Sequence, residues 1–474
     1  MGIALALGAA CWPAPASATT PGAQRLQFRF GPIDVAPGQN TNTFELDRQM
    51  PRVPGYITRF APNLVRVRDG SVPRVDVLHL HHAVWTVNDD LQFVAGEEKT
   101  IASLPRGFGW RSRPDDVWVV NHMIHNQYPS PDRVYITYDI DFVPESSPLA
   151  RRMRPVRTQW MDVQAKNGYP VFDVLRGSGR RGRFTFPDDD PNAYAPGVRR
   201  NEWVVDRPVT LVHSFGHVHP GGLHTDLRVT RDGVRRRLFR SHARYHEPAG
   251  PVSWDMSMTT TRPDWRVSLR PGDVVSVSGT YETERADWYE SMAIMPVAVL
   301  EGDHGVDPFS RKVDRPGRVS HGHLAENRNH GGRPWVLPDA RDLLDGPAGG
   351  EGASVPIRGF VYGQGDLTGA ARAAGRPPLV PRGRPLTFVN QDAERTIYHT
   401  ITGCREPCNR TSGVAYPLAD GRVSFDSGQL GFGPEGLTAA AQRDSWQTPP
   451  DLREGTYTYF CRVHPFMRGS FRVK

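Results

Sequence analysis

Apolar and polar positions alternate one by one along most of this chain, as in VDVLHLHHAVWTV at 75–87, RVYITYDIDFVP at 133–144 and WRVSLRPGDVVSVSGTYET at 265–283. A period of two is the signature of a strand with one buried face. The alternating runs are short, bounded by Gly and Pro clusters, and few stretches have the longer helical period, so the pattern predicts an all-β chain. With 474 residues the chain is too long for one core, and roughly two to four domains are expected.

The texture divides the chain. Strand-like runs fill residues 19–160 and again 161–300, where RPVTLVHSFGHVHPGG, TDLRVTRDG and MAIMPVAVLEG repeat the pattern, so two sandwiches of similar size are predicted. From 301 to 350 the periodicity stops in favour of Gly, Pro, Asp and Arg, as in a linker. A third unit, 351–474, follows, its later strands expected at RPLTFVNQD, TIYHTIT, RVSFDSG and GTYTYFCRV.

Charge and termini narrow the classes. The formal charge of +7 comes almost wholly from arginine, and the basic residues are scattered apart from RDGVRRRLFR at 231–240, which reads as a solvated hairpin. Without interleaved basic and aromatic strand positions, no nucleic-acid partner is expected. Residues 1–18 end in Ala16-Ser17-Ala18 after a short apolar run, the pattern of a cleaved signal peptide, although a basic leading segment is missing. No later run approaches the ~20 apolar residues of a spanning helix. The expectation is a secreted or periplasmic protein with no membrane span, in which Cys404 and Cys408 form a small-loop disulfide, two free thiols being the alternative.

The densest chemistry lies near the C-terminus. Cys461, His464 and Met467 are spaced Cys-x2-His-x2-Met, with His399 on an upstream strand. One thiolate, two imidazoles and a thioether are the donors of an electron-transfer copper site with a weak axial Met, so a type 1 copper is expected here, on a turn stiffened by Pro465. This segment resembles the cupredoxin family, with an amicyanin-like loop. The resemblance implies a Greek-key sandwich in which His399, Cys461, His464 and Met467 hold the metal.

The remaining histidines cluster. His79, His81 and His82 lie in LHLHHAV, His122 and His125 in VVNHMIHNQ, and His213, His217, His219 and His224 in VHSFGHVHPGGLH. On a strand His217 and His219 share a face while Val218 points away, a chelating geometry for Cu or Zn. His213 and His224 carry no partner at the right spacing and read either as structural or as outer partners of a metal ligand. His321, His323 and His330 form a fourth group within the linker, either loosely metal-binding or bonded to backbone carbonyls.

Residues 28–300 also resemble, distantly, the two jelly-roll-like sandwiches of the copper type II, ascorbate-dependent monooxygenases. The resemblance implies additional type 2 copper: one site at His81, His82 and a third histidine, His125 or alternatively His122, and an oxygen-binding site at His217, His219 and Met292, with Met295 as the alternative thioether. The absence of cysteine between 12 and 403 and the appended third unit depart from those enzymes. The arrangement looks closer to bacterial relatives of stress-up-regulated plant nodulins. Two functions follow: a copper monooxygenase acting on a small molecule, or a non-enzymatic copper-binding protein, either an electron shuttle serving a redox partner protein or one for stress protection and copper handling. A multicopper oxidase ranks behind both, because Arg462 stands after Cys461 where that class has a ligand histidine and only three His-x-His motifs occur.

Overall fold

Alternation does produce strands, and they stack into sandwich-like sheets. The computed structural model describes residues 20–75, 77–164, 170–246, 251, 254–320, 352, 354–367, 376–404, 424–432, 442–464 and 466–474. Among them the regular structure is β, apart from two short 3-10 turns at Pro148–Arg152 and Ala393–Arg395, and no helix is long and apolar enough to cross a membrane. The expected signal peptide, the Cys404–Cys408 pairing and the histidines at 321, 323 and 330 lie outside the described residues or side chains.

A nine-stranded sheet is the spine of the first 300 residues. Its strands run in the order Gln24–Val35, Asp132–Pro144, Gly55–Arg66, Phe108–Ser112, Arg154–Gln159, Val297–Glu301, Val209–Ser214 and Val267–Leu269, with Ala102–Ser103 at the side of Gly55–Arg66. It is continuous across the expected division near residue 160: Arg154–Gln159 pairs in parallel with Phe108–Ser112 on one edge and antiparallel with Val297–Glu301 on the other. A four-stranded sheet, Asn40–Leu46, Trp118–Asn126, Leu78–Val87 and Asp90–Ala95, faces the first part of that spine over a core of Phe60, Trp85, Phe93 and Tyr138. A sheet built on Gly222–Arg231, Val234–Tyr245 and Val274–Glu282 faces the second part over Leu227, Phe239, Val267 and Val277.

The basic run at 231–240 sits in the hairpin between Gly222–Arg231 and Val234–Tyr245, where Asp232 and Gly233 take the positive φ of a tight turn. Its guanidiniums are matched by carboxylates: Arg231 with Asp273 and Asp307, Arg237 with Asp314, and Arg240 with Asp226.

Residues 301–320, expected to begin a linker, instead continue the second sandwich. Val313 is buried in its core, and Arg318–Val319 pairs with Thr259 and Thr260. Turn-forming residues there mask a few apolar anchors, which suffice to pin the segment.

The C-terminal unit packs a sheet of Val361–Tyr362, Ser354–Arg358, Thr387–Asn390 and Ser445–Gln447 against one of Leu379–Val380, Arg468–Val473, Gly455–Phe460, Thr402–Cys404 and Phe425–Asp426. Alternation in Gly455–Phe460 sends Tyr457 and Tyr459 into a core with Phe388 and Phe471. The strand then ends at the tight turn carrying Cys461, His464 and Met467.

Candidate metal centres

In the C-terminal unit, His399, Cys461 and His464 are fully buried and their donor atoms all lie within 4.8 Å of one another. Among the described residues this is the one group of His, Cys, Asp and Glu donors that closes so tightly. The two Nδ1 atoms face each other at 3.1 Å, and Cys461 Sγ is 3.7 Å from His464 Nδ1. Met467, also buried, closes the turn by donating its N–H to the His464 carbonyl over 2.9 Å.

Local backbone bonds hold these donors. His399 exchanges two main-chain hydrogen bonds with Leu430, and Asn390 donates to the carbonyls of Ile397 and Leu430, bracing that segment. The N–H groups of Thr400 and His464 each donate to Cys461 Sγ over 3.3 Å. On the far side of the ring, His399 Nε2 meets Asp392 Oδ2 at 3.1 Å, and Asp392 is itself fixed by the N–H groups of Gly359 and Phe360. A carboxylate behind an imidazole sets its tautomer and leaves the other nitrogen to bind metal. Nothing in the spacing of Asp392 from the motif marks it in advance; its placement becomes visible only in the fold.

The electrostatics follow from that packing. Burial alone would push the Cys461 thiol up, but the facing imidazoles of His399 and His464 hold it well below the usual thiol range, favouring the thiolate. Burial likewise depresses His399, yet its bonds to Asp392 and Cys461 raise it overall. Burial opposes ionisation of Asp392, but His399 and two backbone N–H groups bring it down to about 2.

His79, His81, His125, His217 and His219 lie next to one another across the two sandwiches. In the first sandwich Leu78–Val87 pairs with Trp118–Asn126, and a bulge at His81 interrupts the ladder between Leu80 and His82. His81 thereby lies with its ring 4.5 Å from those of both His125 and His219, and His79 is 4.8 Å from His125. Trp254 packs against His79, His81 and His219 at 4.8–5.0 Å. His82 diverges: its Nε2 meets Asn42 and Asn121 at 3.1 and 3.0 Å, while its Nδ1 stays 3.1 Å from that of His81. His122 stands apart beside Phe30 and Glu45. Burial and the neighbouring imidazoles hold His79, His81 and His219 well below the usual histidine range and bring His82 and His125 to about 3, so all five rings stay neutral at pH 7.

In the second sandwich His217–Val218 pairs with Ala293–Ile294, Val218 enters the core, and the rings of His217 and His219 lie 5.2 Å apart. His217 Nδ1 bonds to both carboxylate oxygens of Glu98, at 3.0 and 3.1 Å. A Cβ at Gly96 would sit 2.6 Å from the His217 ring, so the approach requires glycine there. The Tyr281 hydroxyl accepts from the N–H groups of His219 and Met292 and donates to the Met292 carbonyl, tying the two segments together.

Met292, His217 and His82 share the wall of a cavity of about 360 Å³ whose remaining lining includes Val84, Leu91, Trp160 and Ile294. Met295 is instead buried in the second core. His213 bonds to Thr261 and packs on Phe215, away from the cluster. Glu98, Glu290 and Trp254 complete the surroundings of the cluster without any signal in their sequence spacing.

The C-terminal unit rests directly on this core. Arg462, beside Cys461, is buried and donates through both terminal nitrogens to the Asp287 carbonyl at 3.2 Å, lies 5.6 Å from the Trp288 ring, and pairs with Asp426 at 2.9 Å. Phe466 packs on Tyr128 at 5.4 Å.

No protein-family description and no curated protein matches the chain. Among solved structures it aligns with a copper-containing nitrite reductase from Thermus scotoductus SA-01 at 17% identity over 57% of this chain, with a TM-score of 0.16. The match spans 58% of the reductase's own length. The oxalate decarboxylase from Bacillus subtilis aligns at 7% identity over 59% of this chain and 77% of its own, with a TM-score of 0.12. Likenesses this loose decide nothing about the fold or the site, which stand on the sheets and distances above.

Proposed function

We propose that this is an exported copper redox protein in which a type 1 centre at His399, Cys461, His464 and Met467 exchanges electrons with a histidine-rich, monooxygenase-like core. The observation behind it is the buried trio of donors closing within 4.8 Å beside Met467. The residues fit copper: the thiolate is favoured, Asp392 occupies the far nitrogen of His399, and two N–H groups point at Sγ. Bound copper would supply one-electron chemistry. The chain's own part is to hold the donors rigid and dry, so that little rearranges when charge moves.

The finer reading is hydroxylation of a small organic substrate, with His217, His219 and Met292 as the catalytic set. The apolar cavity walled by His217 and Met292 supports it, offering room for a small, largely apolar molecule. The alternative, a shuttle for an outside redox partner, needs an accessible ligand edge; here His464 is 1% exposed beneath the docked core.

Reductant-dependent oxygen consumption tests this reading. With ascorbate and a panel of small apolar substrates, the wild type should consume oxygen, and Met292→Ile and His217→Ala should lose that activity while keeping the visible copper band. Met292→Ile changes volume little, so its stability cost should stay below about 1.5 kcal/mol. No consumption by the wild type across the panel would remove the monooxygenase reading and leave the shuttle.

A further inference from the structure

We propose that the two core sandwiches share one metal centre, a copper-class cation held jointly by His81, His125 and His219. The inference deepens the proposed function and rests on its claim that the core takes copper. It departs from the division expected from sequence, which paired His81 and His125 with His82 and paired His219 with His217 and Met292, and so revises the catalytic set given above, leaving His217 and Met292 at the cavity wall and moving His219 to the shared centre.

The bulge at His81 makes the difference. On a regular strand His81 and His82 would face opposite sides of the sheet; the extra residue lets their Nδ1 atoms approach to 3.1 Å while the two rings aim differently. His82 engages Asn42 and Asn121 at the cavity wall, whereas His81 stands between His125 and His219 with 4.5 Å to each ring centre. Imidazoles sharing one late transition metal must crowd in this way, because each nitrogen lies only about 2.0–2.1 Å from the ion.

The buried nitrogens supply a second, independent observation. His219 is 4% exposed, its ring donates to the Glu290 carbonyl, and its Nε2 is buried with no hydrogen-bond partner. His125 Nε2 is likewise covered and without a partner. A buried polar atom left unmade costs about 1–3 kcal/mol. An anchored ring with a bare, buried nitrogen on its other side is the arrangement of a metal ligand. Trp254 packs on the rings of His81 and His219 at 5.0 and 4.8 Å. Among the described residues only His399, Cys461 and His464 close within 4.8 Å, so the proposed centre requires the imidazoles of His81, His125 and His219 to turn about their Cβ–Cγ bonds when the ion binds.

The position also suits the proposed function. His125 belongs to the strand that leads to Tyr128, on which Phe466 of the Cys461 loop packs. A centre at His125 therefore sits on the strand that leads into the contact with that loop.

The test is copper content after loading the full chain with Cu(II) and dialysing, in wild type, His125→Ala, His219→Ala and the double variant, with His125→Gln and His219→Gln as milder substitutions. Each single variant should lose one copper per chain relative to wild type, and the double variant should lose no more than either single. A double variant that loses two coppers would show separate ions and overturn the shared centre, as would singles retaining the wild-type content. The visible thiolate band, whose donors these substitutions leave in place, reports that the C-terminal unit is folded, and the milder glutamine variants together with a denaturant unfolding curve report the core. Its absence from the wild type would count against the type 1 assignment alone, since the copper counts still decide the core.

Discussion

The Arg462 guanidinium donates to the Asp287 main-chain carbonyl at 3.2 Å while its neighbour Cys461 faces the imidazoles of His399 and His464. The residue after the thiolate is thus the clamp between the C-terminal unit and the core, and β-strand Trp288–Ser291 runs from that clamp toward Met292.

Breaking the clamp should be expensive. Arg462→Met leaves the Asp426 carboxylate buried without its partner, and the loss of one member of a buried pair costs about 3–5 kcal/mol. Adding Asp426→Asn should restore a large part of that loss, since the uncompensated charge is gone. Denaturant unfolding of the two singles and the double checks this; strictly additive losses would show that the pair is not coupled.

Asp392→Asn should leave the Cys461 thiolate in place but loosen His399. Outer partners of metal-bound histidines are worth about 10–100-fold in affinity, and competition against a copper chelator should show a loss in that range. Unchanged affinity would mean that Asp392 does not orient the ring.

Met467→Gln should retain copper and lower the reduction potential, because an oxygen donor replaces the thioether that favours Cu(I). Potentiometric titration of the visible band gives the answer, and an unchanged potential would assign the axial position to another group.

Glu290 titrates far from its ordinary range: burial, aided by Asp173, pushes its carboxyl up to about 8. A group whose folded pKa is raised holds its proton more tightly when folded. Its contribution to stability is full below the ordinary value of 4.5 and is lost as pH rises through about 8. Wild-type stability should therefore fall between these limits, and Glu290→Gln should flatten that part of the profile. Equal slopes in both proteins would show that Glu290 is not the source.

The all-β fold was readable from single-residue alternation, because sandwich strands with one buried face impose a period of two. The grouping of His399, Cys461 and His464 was readable because the short spacing of Cys461 and His464 puts two of the three on one turn. Asp392, Glu98, Trp254 and the Arg462 clamp were not, since each reaches its place through contacts between distant segments. The bulge at His81 escaped for a related reason: alternation reports the period of a strand but not the position where an extra residue breaks it. The turn-rich 301–320 concealed Val313 in the same way, as composition there outweighs a few apolar anchors.

The measurement closest to the central claim is a Cu(II) titration of the metal-free protein followed in the visible, in wild type and Cys461→Ser. The account requires an intense thiolate-to-copper band that grows to one equivalent at the His399, Cys461 and His464 site and is missing from Cys461→Ser. A wild type that binds copper without such a band, or a Cys461→Ser variant that keeps it, would contradict the assignment.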